Sequence, residues 1–289
     1  MIDKHRHHYI PEGYLKGFSV IGEVTNKNVW TYTKNKYSKP KIRSSRSVAF
    51  KNDYYAQEID NEVYDYNKLE NAFSEVENIV IPIIRNLKGN DGKMLLSDYD
   101  KGQLAFFLAL LCTRTPSFRD GIENVYEKIA EIFLDKTMAD DAFKKSPLLK
   151  IYENNGINIR IKNWISLKPM IDTANALALT MLEKYWQFFT PPVGHSFVTS
   201  DVPVVFFGQS PGHPSSIIMV NLRKDLSLFC TPEKYMQDLS VREISDKSVT
   251  NINLGIVQSA KEFVFSSVED EWIQNKVKEN IGTFQGVVC

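Results

Sequence analysis

Between Glu62 and Leu87 the apolar residues Tyr66, Leu69, Phe73, Val76, Val80, Ile83, Ile84 and Leu87 recur at spacings of three and four, which predicts a helix with one buried face. Pro82 predicts a kink in it and Gly89 its stop. Ser97 is an N-cap for a second helical pattern from Asp98 through Leu134, in which Pro116 marks a break or bend. Met170 to Phe189 reads as a third long helix, closed by Pro191-Pro192 and Gly194. The pattern then changes. Phe197 to Phe207, Ile217 to Leu222, Leu226 to Cys230 and Phe263 to Val268 are short β-rich runs bounded by Gly, Pro, Asp and Ser. Between the last two, Ser245 caps a helix whose Val249, Ile252, Ile256 and Ala260 share a face.

Before the first helix the chain is polar and aromatic, with short β-like pieces at Val29–Tyr32 and Asp53–Ala56. Residues 138–169 are mixed, with a turn signal at Asn154-Asn155-Gly156 and a strand-like stretch from Ile157 to Trp164. The expected fold class is therefore α+β, a helical core of three or more long helices packed with a small, mostly antiparallel sheet. The expectation is a single domain over 1–289, with an arm at 1–61, a helical core at 62–190 and a strand-rich part at 191–289.

Composition narrows the function classes. With 43% hydrophobic residues the chain can bury a core. Thirty-five basic residues balance 35 acidic ones, so no global field draws it to nucleic acid or an anionic membrane, although a local basic patch stays open. The longest apolar run, Leu104 to Cys112, is nine residues, against the roughly 20 that a bilayer-spanning helix needs. No membrane partner is expected. Cys112, Cys230 and Cys289 form no CxxC pair and read as free thiols in a reducing, cytoplasmic compartment. The first residues carry charge and histidine in place of an apolar signal region, so no export is expected.

Five groups of residues carry candidate chemistry. The tract His5-Arg6-His7-His8-Tyr9-Ile10-Pro11 supplies imidazoles for a metal or for acid–base work, or else forms a solvated arm. His8 stands apart, because it abuts Tyr9, Ile10, Tyr14, Leu15 and Phe18, which should dock the arm. Arg114-Thr115-Pro116 with Arg119 sits at the helix bend. A guanidinium there faces burial and needs a carboxylate, a phosphate or backbone carbonyls for its five donors, so it is either an anion site or a structural stitch. Glu70 and Glu77 lie seven residues apart, about 20° around a helix. They could act as paired carboxylates or as solvated flank residues. Ser200 and Asp201 end an apolar strand before Pro203, as nucleophile and orienter or as a backbone-bonded turn. Asn253 lies on an apolar helix face and needs partners for its amide. No GxGxxG, P-loop, HExxH, zinc or EF-hand spacing is present.

The order His8-Tyr9-Ile10-Pro11 with Tyr14-Leu15 and Phe18, then Glu70 and Glu77, then Arg114-Thr115-Pro116 with Arg119, then Phe197 to Pro203, resembles the bacterial family of domains of unknown function numbered 4238. Trp186, Asn253 and Ala260 extend the resemblance over nearly the whole chain. Two positions depart from the family pattern: Val202 stands between Asp201 and Pro203, and Glu12-Gly13 precedes Tyr14-Leu15. The resemblance implies bacterial, cytoplasmic occurrence, with phage defence or a toxin system as the setting such families suggest. It names no activity, cofactor or metal.

Two functions follow as expectations. One is a hydrolase acting on nucleic acid or a nucleotide, with His8, Asp201, Glu70 and Glu77 as catalytic groups and Arg114, Arg119, Ser200, Tyr9 and Asn253 as substrate contacts. The other is a non-catalytic binding module in which the same His, Arg and Asp side chains form a buried structural network.

Overall fold

Several strands are apolar at successive positions where alternation would mark a half-buried strand, and the fold gives the reason: the sheet is covered on both faces. The computed structural model describes residues 5–20, 22, 27–35, 37–60, 63–139, 145, 162–232, 237–284 and 287–288. In the N-terminal part lie β1 (Arg6–His8), α1 (Glu12–Leu15), β2 (Asn28–Thr33), β3 (Lys41–Ser44), β4 (Phe50–Asn52), β5 (Gln57–Asp60) and β6 (Val63–Asp65). The long helix α2 (Lys68–Asn86), the hairpin β7 (Gly89–Asn90) and β8 (Lys93–Met94), and the helices α3 (Asp98–Thr113), α4 (Pro116–Ala139) and α5 (Leu167–Leu182) follow. The rest comprises β9 (Tyr185–Thr190), β10 (Thr199–Ser200), β11 (Val204–Phe207), β12 (Ile217–Arg223), β13 (Leu226–Thr231), β14 (Ser240–Glu243), α6 (Asp246–Ser259), β15 (Phe263–Ser266), α7 (Glu271–Asn280) and β16 (Val287–Val288).

The main sheet has eight strands in the order β16-β11-β12-β13-β9-β14-β8-β7, antiparallel except for the parallel pair β14 and β9. Val204, Phe206, Ile218, Val220 and Leu222 face a cluster that includes α2, α3 and α5. The intervening Val205 and Met219 face a second cluster built on α6 and α7. A separate four-stranded sheet, β10-β15-β2-β3, joins the N-terminal part of the chain to its last third.

This overturns the expected helical core with a small sheet. The sheet is a mixed, eight-stranded layer with helices on both faces, accompanied by three smaller sheets among the described residues. Part of the error is local. Tyr185-Trp186-Gln187-Phe188-Phe189, expected to end the third helix, belongs to β9, whose middle residues are all buried and so show no strand alternation. The other missing strands of this sheet, β7, β8, β14 and β16, are two to four residues long. The turn at Asn154–Gly156 lies outside the described residues, as does most of the stretch read as a strand from Ile157. Its last residues begin a 3-10 turn, Asn163–Ser166.

Cys230 is a buried free thiol, as expected. Cys112 is disulfide-bonded, contrary to the expectation of free thiols, and its partner lies outside the described residues. Among the described residues no helix is long and apolar enough to cross a membrane.

Candidate functional site

The arm is docked by its middle histidine. In β1, paired antiparallel with β4, Arg6 is exposed, His7 fully buried and His8 half-buried. His7 Nε2–H donates to the Tyr66 carbonyl at 2.9 Å, and Nδ1 accepts the Tyr55 N–H at 2.8 Å. One ring nitrogen is thus a donor and the other an acceptor, which defines a neutral tautomer. The ring also stacks on Tyr55 at 5.3 Å. His5 stays exposed and pairs with Asp53 at 2.7 Å. The His8 ring donates to the Arg46 carbonyl at 3.1 Å, and burial lowers its pKa against the pull of that bond.

Arg114 caps the end of α3 and is 2% exposed. Its Nε donates to the Tyr55 hydroxyl (3.0 Å), Nη1 to Glu77 Oε1 (2.8 Å) and Nη2 to the His8 carbonyl (2.6 Å), while its plane lies 4.6 Å from the Phe73 ring centre. Burial works against the charge, but Tyr55 and Glu77 more than offset it, so the pKa is raised. His8 therefore meets Arg114 through its backbone, and its imidazole has a different partner. Glu70, almost two helix turns before Glu77, lies close enough to help burial raise the Tyr55 phenol.

Arg119, 1% exposed, makes the neighbouring node. Its Nε donates to Ser166 Oγ (2.9 Å), Nη1 to the Tyr54 carbonyl, and Nη2 lies 3.9 Å from Glu123. Tyr54 stacks on this guanidinium at 4.1 Å and donates its own hydroxyl to the Arg114 carbonyl at 3.1 Å. The two arginines thus stitch the bend between α3 and α4 to the N-terminal part through Tyr54 and Tyr55.

Asp201 sits elsewhere. It is 5% exposed, and Oδ1 and Oδ2 accept the N–H groups of Lys261 (2.9 Å) and Glu262 (2.7 Å) at the entry to β15. Burial pushes its carboxyl up to about 6 against these bonds. Ser200 Oγ donates to the Val202 carbonyl (2.9 Å) and accepts the Val202 N–H (3.1 Å), a local turn. Tyr9 is buried near both groups: Asp201 and Tyr55 add to the burial that raises its phenol.

Asn253 reaches from α6 to the chain before β10. Oδ1 accepts the Val198 N–H (3.0 Å) and Nδ2 donates to the Ser196 carbonyl (2.9 Å), so the amide substitutes for a strand partner. Asn253→Ala should therefore cost about 1–3 kcal/mol by leaving those groups unpaired. Urea denaturation checks it, and an unchanged midpoint would contradict this role.

The expected residues thus fall into three groups, around the two arginines, Asp201 and Asn253, and the charged heads of Arg114, Arg119 and Asp201 are taken up by protein partners. His7, Tyr54 and Tyr55 are the residues that sequence reasoning missed. A period-two reading of β1 could have found His7.

A different feature is open to ligands. A cleft of 780 Å³ lies between the α1 turn, the end of α2 and the β12–β13 hairpin. Five cations line it, Lys16, Arg85, Lys88, Arg223 and Lys224, against one acid, Asp225. Arg223 Nη1 donates to the carbonyls of Ile84 (2.6 Å), Arg85 (3.3 Å) and Leu87 (3.4 Å), and Nε to Asp225 (2.7 Å). It thereby covers the negative end of the α2 dipole, which would otherwise repel an anion. Arg85 and Lys88 are exposed and make no ion pair among the described residues. These cations come from three separate parts of the chain, so no local motif announced them.

No curated protein and no solved structure matches the chain. A family model does, over residues 6–270, a span that takes in the arm, both arginines, Asp201 and Asn253. The chain belongs to the family described as Protein of unknown function (DUF4238).

Proposed function

We propose that this protein is a binding module for a phosphate-bearing ligand, nucleic acid or a nucleotide, held in the cleft between α1, α2 and the β12–β13 hairpin. The observation that carries this reading is the excess of cations in the cleft lining, five against one acid, with Lys16 also paired to Glu12 beyond it at 2.8 Å, in a chain of formal net charge zero. Phosphate is the group they suit, because the lining offers no exposed aromatic ring for base stacking: Tyr14 is buried, with its hydroxyl on Thr199 at 2.9 Å. Recognition here is by charge and position. The alternative of a hydrolase built on His8 and Asp201 has less support, since both Asp201 oxygens accept backbone N–H groups and the His8 ring is bonded to the Arg46 carbonyl.

The test is fluorescence anisotropy with a labelled single-stranded oligonucleotide and, separately, a labelled nucleotide, across a salt series. The double variant Arg85→Ala/Lys88→Ala should weaken oligonucleotide binding about tenfold and flatten the log–log salt slope by about 1.4, two contacts' worth. Both side chains are exposed, so folding should be untouched. Equal binding by wild type and variant, or no binding to either ligand at low salt, would remove this reading.

A further inference from the structure

At the opposite end of β12 and β13 a second cleft opens, of 400 Å³, within the range of small-molecule sites. Six strand steps of about 3.3 Å put it roughly 20 Å from the basic cleft. Its lining includes Thr180, Glu183, Lys184, Pro214, Ser215 and Pro232. Lys184 is the unusual member. It is 5% exposed, yet no carboxylate oxygen lies within 4 Å of its Nζ among the described residues. Buried ammonium groups are ordinarily paired.

The amine is nonetheless held in place. Nζ donates to the Pro214 carbonyl at 2.9 Å and lies 3.5 Å from the His213 carbonyl. The loop supplying these carbonyls is braced from within: Ser216 Oγ donates to the His213 carbonyl at 2.7 Å, and His213 Nδ1 meets Ser215 Oγ at 2.7 Å. A tetrahedral nitrogen with one carbon and two carbonyl contacts has a single direction left, and a third donor remains to fill it. Burial lowers the Lys184 pKa, with the Cys230 thiol and Glu183 opposing, which is the signature of a cation short of compensation.

We propose that Lys184 binds the carboxylate of a small organic acid, whose hydrocarbon part rests against Pro214 and Pro232. The charge arithmetic favours a monoanion: one buried cation faces the ligand, and the exposed Glu183 at the rim disfavours a dianion such as phosphate. The proline rings suit an organic body better than a fully hydrated inorganic ion. This site is independent of the basic cleft, so either can fail without the other.

The experiment is calorimetric titration of the whole protein with acetate, butyrate and benzoate, with benzamide as the uncharged counterpart and inorganic phosphate as the dianion. At least one carboxylate should bind saturably, and benzamide at least tenfold more weakly than benzoate wherever benzoate is that ligand. Lys184→Met, which keeps the length of the stem, should lose at least tenfold in affinity, and Glu183→Gln should gain severalfold. The second substitution is on the surface, so it reports even where the first impairs folding. Failure of all three acids to bind overturns the proposal, as does Lys184→Met binding like wild type. Phosphate binding more tightly than every carboxylate would overturn the assignment to organic acids.

Discussion

Arg114→Ala is expected to destabilise the protein by about 3 kcal/mol, the lower end of what a broken buried ion pair costs. The lower end applies because Glu77 keeps 24% of its side chain exposed, so water can take over part of the lost charge interaction. Three other groups fare worse. The Tyr55 hydroxyl and the His8 carbonyl lose a charged donor inside the protein, and Phe73 loses the guanidinium plane stacked 4.6 Å from it. Arg114→Lys should recover little, because an ammonium cannot present three donors in one plane to three differently placed acceptors. Arg114→Met with Glu77→Leu should recover most of the loss by removing both charges at once. Thermal and urea unfolding of the three variants measures this. An unchanged melting curve for Arg114→Ala would mean that the network does not hold the arm.

That test matters for the family resemblance, because the residues that carry it are largely fold-building. Arg114, Arg119, Asp201 and Asn253 are all buried, and each satisfies backbone or side-chain groups from a distant part of the chain. The basic cleft lined by Lys16, Arg85, Lys88, Arg223 and Lys224 shares none of them.

Local signals were the legible part. Ser97 and Ser245 do cap their helices, accepting the N–H groups of Asp100 at 3.1 Å and Ser248 at 3.3 Å, because capping depends only on neighbours in the chain. The first helix, expected over 62–87, spans Lys68–Asn86, since Asp65 takes the N–H groups of Asn67 and Lys68 and starts it there. What failed depended on distant partners. His7 is the buried histidine of its tract because pairing with Phe50–Asn52 sets the register of β1, and register decides which face turns inward. The same cause hid the eight-stranded sheet, whose strands β8, β14 and β9 are far apart in sequence.

Asp201 offers the test with the clearest pH signature. Its carboxyl titrates near about 6 in the folded chain, above the ordinary value of about 3.9 expected when unfolded. Between these values the folded state holds the proton that the unfolded state has released, so stability falls as pH rises. The contribution is fully present below about pH 4 and lost once pH has passed about 6, and two units amount to about 3 kcal/mol. Asp201→Asn mimics the protonated group at every pH, keeping one acceptor and turning an NH₂ toward the second backbone N–H, at a cost of about 1–3 kcal/mol. That cost should show in full at about pH 4 and shrink by about 3 kcal/mol by about pH 7, where the wild type carries a buried charge and the variant does not. Urea unfolding of both proteins across this range reads the gap directly. A gap that stays constant, or widens with pH, would mean that the bonds from Lys261 and Glu262 outweigh burial and hold the carboxylate ionised.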